Sequence, residues 1–408
     1  MIEFKPAICS QFMFLQIQLS LRLVRIIFCL FIITLFHTEG MAFNKPLAKH
    51  SKGKNSSHIL KSDNFSLNAR NVKVLKSQGK FLWMGTSMGA IKYDTTSIEN
   101  YIVYDNRNSL LSNGIFSISI DPKSQIWLGT YGGGLSFLAN KKWTNINTPQ
   151  GLNDAFVYDI KFNKTSMWIA TWSGANRVKG DPLISESWTS FTVKNTNGGL
   201  IDNWVYAIEF GEKSNIWFGT EGGLSLYNEK TKQWAHWNHK NGLGASHEIV
   251  LNDNRLATDS LKGSHHSGQV INIPNTENVA YRPNYIVSMY LDQLNRLWIG
   301  TWGGGLSMFS PETEIFRNYT VKDGLPGNYI LAINEGPDGN LWIGSNKGLS
   351  MFDGTFFQNN AEKNGLISNY VFSIEFDNDN FLWVGGHHGM TRLKFDMQSG
   401  HLLRQDSE

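Results

Sequence analysis

A chain of 408 residues is long enough for two or three ordinary domains or for one closed ring of repeats. Its 37 Lys plus Arg against 34 Asp plus Glu leave a formal charge of only +3, with no long basic block, which excludes an electrostatic footprint for nucleic acid. Thirteen per cent aromatics, 39 glycines and little helical apolar spacing beyond the first forty residues favour a turn-rich, all-β protein.

The first segment reads differently from the rest. Arg22 and Arg25 precede the apolar run Ile26 to Phe36, and the small residues Gly40 and Ala42 follow it. A run of eleven residues falls well short of the roughly 20 that span a bilayer, so 1–42 reads as a secretory signal, cleaved after Gly40 or Ala42 or kept as a short anchor. Translation from Met13 would shorten the stretch before Arg22. Both cysteines, Cys9 and Cys29, lie inside this segment, and Cys29 sits in mid-run behind Phe28, a poor place for lipid attachment. The mature protein is then free of thiols, as an oxidising compartment permits, and the expected location is periplasmic or secreted. Residues 43–64 read as a linker and 65–408 as the folded body.

That body is repetitive. The segments FLWMGTSMGAIKY, QIWLGTYGGGLSF, SMWIATWSGANRV, NIWFGTEGGLSLY, RLWIGTWGGGLSM, NLWIGSNKGLSMF and FLWVGGHHGMTRL are centred on Trp83, Trp127, Trp168, Trp217, Trp298, Trp342 and Trp383. Their spacings are 44, 41, 49, 81, 44 and 41 residues. A unit of about 40 to 50 residues with Trp and Gly at fixed offsets predicts propeller blades, each a small antiparallel sheet. The expected fold is therefore all-β, a single seven-bladed β-propeller of four-stranded antiparallel blades. Within a unit, the strands are an apolar alternation such as Val371 to Phe376, the Leu-Trp-Ile-Gly-Thr core, Gly-Leu-Ser-Met-Phe, and an aromatic segment such as Phe316 to Tyr319. A polar turn, Gly336-Pro337-Asp338-Gly339-Asn340, joins the first two. In the second strand Trp points to one face and Leu and Ile to the other, so each blade must bury both faces against its neighbours.

The gap of 81 is nearly two periods. Its interior, NRLATDSLKGSHHSGQ, has neither the Trp nor the Gly-Thr pair, so 241–283 reads as an inserted loop rather than an eighth blade, and one long enough to be functional. The outer strand of the last blade has two candidate sources, His401 to Gln405 or the residues near His58 to Leu60.

With the turns Asp323-Gly324-Leu325-Pro326-Gly327-Asn328 and Asn364-Gly365-Leu366-Ile367-Ser368-Asn369, then Leu-Trp-Ile-Gly-Thr and Gly-Gly-Leu-Ser, residues 65 to 396 resemble the two-component regulator propeller repeat family. That resemblance implies a periplasmic, ligand-sensing propeller, usually part of a membrane-bound hybrid histidine kinase and often paired with a second propeller. Thirteen residues follow Phe395, with no β-sandwich, second span or kinase among them, so the expectation is a stand-alone propeller that signals through a separate membrane partner.

If the strands run from inside to outside, as in similar propellers, the second-to-third connections and the blade-to-blade connections share one face. The former carry Tyr131, Trp172, Glu221, Trp302, Asn346-Lys347 and His387-His388, varied on a fixed frame. Five residues before the inner-strand Ile or Met stand Asn203, Asn284, Asn328 and Asn369, each followed by an aromatic: Trp204, Tyr285, Tyr329 and Tyr370. Phe156 fills that slot four residues before Ile160. These rings have two roles open to them, plugging the funnel against neighbouring blades or stacking on a sugar or planar ligand oriented by nearby Asn, Asp and His. The Trp-Gly tryptophans read as structural.

The leading functional reading is an exported, non-enzymatic binding or sensing module for a small molecule or oligosaccharide. It assigns no catalytic residue, no cofactor and no metal, because the histidine spacings match no compact ligand motif, and His265-His266 beside Ser264 and Gly268 read as a solvated loop. Two alternatives stand beside it. One is a metal-assisted lyase similar to virginiamycin B lyase, with His247, Glu248, His387 and His388, which rests on fold analogy alone. The other is an interaction scaffold whose insertion docks a peptide or membrane partner.

Overall fold

The computed structural model describes residues 60–66, 71–97, 100–246, 281–396 and 401–403. The expected signal segment, most of the linker and the interior of the insertion, with His247, Glu248, His265 and His266, lie outside these residues.

Seven sheets follow one another along the chain, over 72–104, 115–146, 157–191, 205–237, 282–319, 330–360 and 371–396, numbered here as blades 1 to 7. In blades 1 to 6, four antiparallel strands run from inside to outside in chain order, as in Ile330–Glu335, Leu341–Ser345, Gly348–Phe352 and Phe357–Asn360 of blade 6. The innermost strands of consecutive blades pack side by side, and that of blade 7 meets that of blade 1, closing the ring. The structure is a seven-bladed β-propeller, as the repeat demands.

The repeat residues each carry a defined load. The core tryptophans are buried between blades, and three of them donate the indole N–H to an aspartate of the polar turn: Trp127 to Asp121 at 3.2 Å, Trp298 to Asp292 at 2.8 Å and Trp383 to Asp377 at 2.6 Å. The Thr or Ser after the Gly is sealed from water, and its hydroxyl donates across the turn to a glycine carbonyl, as from Thr301 to Gly305 at 2.8 Å and Ser345 to Gly348 at 3.0 Å. In the Asn/Asp-Gly-Leu turn, a single 3-10 turn such as Val321–Asp323 ends at Gly324, whose φ of 112° only glycine adopts cheaply. The following leucine, Leu325, then dives between blades.

The glycine of Trp-x-Gly-Thr sets how closely blades approach. A Cβ at Gly344 would stand 2.6 Å from the Val371 Cγ1 and 2.7 Å from the Val371 carbonyl of the next blade. Blade 3 alone among the seven has a methyl in this slot, Ala170.

The ring closes with strands from both ends of the chain. Ser62–Phe65 pairs antiparallel with Met390 to Leu393 of the third strand of blade 7, and His401–Leu402 pairs with Phe395 and Asp396 further along the same strand. The two meet where the Lys61 N–H donates to the Leu403 carbonyl. Both candidate sources therefore contribute, and the longer piece comes from residues just past Leu60.

Every innermost strand carries a one-residue bulge at its start, between Val72/Val74, Ile115/Ser117, Val157/Asp159, Val205/Ala207, Ile286/Ser288, Ile330/Ala332 and Val371/Ser373. A bulge drops one residue from the ladder and re-aims its side chain. The dropped residues are Lys73, Phe116, Tyr158, Tyr206, Val287, Leu331 and Phe372.

Two outcomes follow. Gly344→Ala should cost about 1 to 3 kcal/mol in chemical denaturation through overpacking, and an unchanged midpoint would refute the close-approach argument. Phe65, packed on Tyr93 and Trp383, closes the ring, so Phe65→Ala should lose about 3 kcal/mol. A smaller loss than that of an exposed Tyr101→Ala control would show that the N-terminal strand does not hold the seam.

Candidate functional site

The blade-to-blade connections and the second-to-third connections do share a face. The backbone N–H of Trp172 donates to the Phe156 carbonyl at 3.4 Å, that of Glu221 to Trp204 at 3.0 Å and that of Asn346 to Tyr329 at 3.2 Å. Each inner-strand aromatic is thereby set beside its own blade's connection.

The rings form an arc rather than a single level. Phe156 stacks on Trp172 with centroids 4.2 Å apart, Tyr131 meets Phe156 edge-on at 4.6 Å, and Trp172 faces Trp204 at 6.0 Å. Further round, Tyr285 stacks on Trp302 at 5.6 Å and Trp302 meets Tyr329 edge-on at 5.3 Å. On blade 7, Tyr370 and Phe372 flank His387 at 4.7 and 4.8 Å, with exposed His388 6.0 Å beyond. The bulged residues supply an inner row that links the outer groups. Phe116 touches Tyr158 at 5.2 Å, Tyr158 touches Tyr206 at 4.7 Å and Tyr206 touches Tyr285 at 4.7 Å. Alternation alone does not reveal this row, because the bulge breaks the two-residue period that locates faces.

Exposure divides the ring residues. Tyr329 is 1% exposed and Tyr285 8%, so both are largely spent on packing, whereas Trp204 is 36% exposed and Phe156, Trp172, Trp302, Tyr131, Tyr370 and His387 are half-buried. The asparagines expected to orient a ligand are engaged elsewhere. The side-chain carbonyls of Asn203, Asn284, Asn328 and Asn369 accept backbone N–H groups from Val193, His239, Val321 and Glu362, bracing the connection in front of each ring.

Charge at the mouth is uneven. On blades 3 to 5, Asp154 accepts from the Ser173 hydroxyl at 2.6 Å, Asp202 from the Trp204 N–H at 2.8 Å, and Glu221 pairs with Arg282 at 2.5 Å. Burial pushes the Glu221 carboxyl up, Arg282 opposing. On blades 7 and 1, the Lys73 ammonium lies 3.9 Å from the Phe372 ring centroid, and burial lowers it to about 8. Burial also lowers His387, with Lys73 and His388 adding to the effect. The His387 Nδ1 meets the Asn71 side-chain oxygen.

Deeper along the innermost strands, Lys76 pairs with Glu375 at 3.0 Å and Lys161 with Glu209 at 2.7 Å. Burial works against the Lys161 charge, but the carboxylates of Glu209 and Asp159 outweigh it and hold the ammonium above its usual range. Burial raises Asp159, which accepts the Ile208 N–H at 3.0 Å and so ties blade 3 to blade 4. These pairs lock adjacent blades together. Among the described residues, no three His, Cys, Asp or Glu side chains converge as a metal site.

Seven four-stranded blades with an aromatic-lined mouth define the class, a seven-bladed β-propeller in which varied connections sit on a rigid ring. Residues 109–132, 280–303, 324–347 and 365–388 match the two component regulator propeller family. Each matched segment runs from a blade-to-blade connection through the first two strands, the part that carries the bulge and the Trp-Gly core.

Among solved structures, the extracellular domain of the hybrid two component system BT3049 from B. thetaiotaomicron is 20% identical with a TM-score of 0.62, covering 82% of this chain and 41% of its own. The extracellular domain of BT4673 from the same bacterium is 18% identical with a TM-score of 0.60, covering 82% and 40%. Virginiamycin B lyase from Staphylococcus aureus is 11% identical with a TM-score of 0.58, covering 83% and 99%. The chain thus spans about two fifths of the two extracellular domains it matches, and at these identities the likeness is one of fold. No curated protein matches the chain.

The division between packed and open rings is measurable. Tyr329→Ala should lower stability by about 3 kcal/mol, as for a buried aromatic, while Trp204→Ala should cost about 1 kcal/mol or less. Equal losses in urea denaturation would contradict it.

Proposed function

We propose that this chain is an exported, non-enzymatic propeller that senses a small ring-bearing ligand, an oligosaccharide or a planar apolar molecule, at its aromatic mouth. Occupancy passes to a separate membrane signalling protein. The observation that carries the reading is the arc from Tyr131 through Phe156 and Trp172 to Trp204, four rings in successive contact that remain half-buried or open. Aromatic faces held rigidly and left partly wet are suited to stacking on sugar or planar rings, since little conformational entropy is lost when a ligand arrives.

The location rests on two supports. Residues 1–42 read as a secretory signal or short anchor, and the BT3049 and BT4673 structures are extracellular domains of signalling systems. No helix of the described residues is long and apolar enough to cross a membrane.

A ligand that binds only the native state raises its melting temperature, so a panel of oligosaccharides and planar small molecules should give a hit by thermal shift. With that hit, the Trp172→Ala/Trp204→Ala pair should weaken binding about tenfold, each ring contact contributing roughly 0.5 to 1.5 kcal/mol. Unchanged affinity in a folded double variant would remove this mouth from consideration.

A further inference from the structure

The innermost row of the mouth contains one charge. Of the seven bulged positions, six hold Phe116, Tyr158, Tyr206, Val287, Leu331 and Phe372, and the seventh holds Lys73. A bulged side chain owes nothing to the ladder, and a lysine placed there among rings gives up hydration that an exposed lysine keeps. Its ammonium makes no ion pair or hydrogen bond among the described residues, and its neighbour is the Phe372 face at 3.9 Å.

The carboxylates of this region are committed elsewhere. Glu375 holds Lys76 and the Ser77 N–H, while Asp154, Asp202 and Glu221 lie across the mouth on blades 3 and 4, each already accepting. Among the described residues, the titratable group electrostatically coupled to Lys73 is His387 of blade 7, with His388 beyond it, both basic in type. A half-buried cation without a counter-charge among the described residues, flanked by Phe372 and next to the His387–Tyr370 pair, is a preformed place for an anion attached to a ring.

Building on the aromatic mouth as the binding site, we propose that its ligand carries a carboxylate, which docks on Lys73 between blades 7 and 1 while its ring lies against the neighbouring aromatic faces. An acidic sugar and an aromatic acid both present this chemistry. The lowered Lys73 ammonium agrees with it: a docked carboxylate favours the charged form, so affinity should be full below pH 8 and fall as Lys73 deprotonates above it. Burial lowers His387 away from this range, so Lys73 is the group that sets the upper limit.

The test uses the full chain in two measurements. First, the Lys73 Cε resonance is titrated with and without acetate, 4-hydroxybenzoate or galacturonate. The expected midpoint lies near 8 alone and moves up with a carboxylate, but not with glycerol. Second, calorimetry compares trigalacturonate with its neutral galactose counterpart, and 4-hydroxybenzoate with 4-hydroxybenzyl alcohol. The acid of one pair should bind at least about tenfold tighter than its neutral partner, which says whether the source is a sugar or an aromatic acid. Lys73→Met, which keeps the stem on Phe372, should erase that preference. Lys73→Arg should keep it and remove the loss of affinity above pH 8.

A Lys73 midpoint that no carboxylate moves overturns the proposal, even if neutral rings bind at the mouth. Binding that Trp172→Ala/Trp204→Ala leaves intact, with Lys73 still responding to carboxylates, overturns the aromatic reading instead and leaves Lys73 as an anion site.

Discussion

The whole ring depends on one short distance, that between the second strand of each blade and the innermost strand of the next. At Gly85, Gly129, Gly219, Gly300, Gly344 and Gly385, an added Cβ would come within 2.5 to 2.8 Å of a Val or Ile side chain one blade further on. Because a glycine leaves that space, the β-branched residue at the head of each innermost strand seats against the neighbouring backbone, and the large tryptophan two residues earlier fills the volume beside it. Overpacking one such joint would be repeated around the circle, since a closed ring has no free edge over which to spread strain. Ala170 marks the one joint, between blades 3 and 4, that accommodates a methyl, and there Asp159 and the Lys161–Glu209 pair add polar ties.

This constraint also explains what the amino-acid pattern makes legible. Tryptophan, glycine and threonine recur because each meets the same neighbour in every blade, so aligning on Trp83 to Trp383 recovers the count of blades, their order and the face on which connections gather. The Asn/Asp-Gly-Leu turn is legible for the same reason: Gly324 and Gly365 adopt φ near 110° at the end of a 3-10 turn, and the next leucine is buried. The way the ring closes is less legible. Ser62–Phe65 lies more than 300 residues from its partner strand, lacks the Trp-Gly wording, and reveals its role only through the pairing.

The candidate site is legible in its outer layer as a set of neighbouring side chains, and hidden in its inner one. Trp172, Trp302 and His387 stand out because they vary where the frame does not, and the structure brings each against the aromatic that opens its own blade. Tyr329 illustrates the limit of such reading. It occupies the same register as Trp204 yet is fully buried, since the sequence position specifies the backbone slot but not how deep the adjoining connection covers it. The inner row of Lys73, Phe116, Tyr158, Tyr206 and Phe372 escapes altogether, because strict alternation assigns those positions to the wrong face until the bulge is known.

Placing that lysine at the junction of blades 7 and 1 has a mechanical consequence. Lys73 belongs to the first blade built from the chain, while Phe372 and His387 belong to the last, and Asn71 bridges to His387 across the same seam that Ser62–Phe65 closes from outside. At the other joints, consecutive blades are joined by the chain itself. Here closure relies on strand pairing and side-chain packing, so this is the joint whose stability a bound molecule can change most. A ligand contacting Lys73 and Phe372 together would bind only the closed ring and stabilise it by RT ln(1 + [L]/Kd). Occupancy would then be registered at the blade into which the N-terminal strand is woven, without any rearrangement of the rigid blades elsewhere.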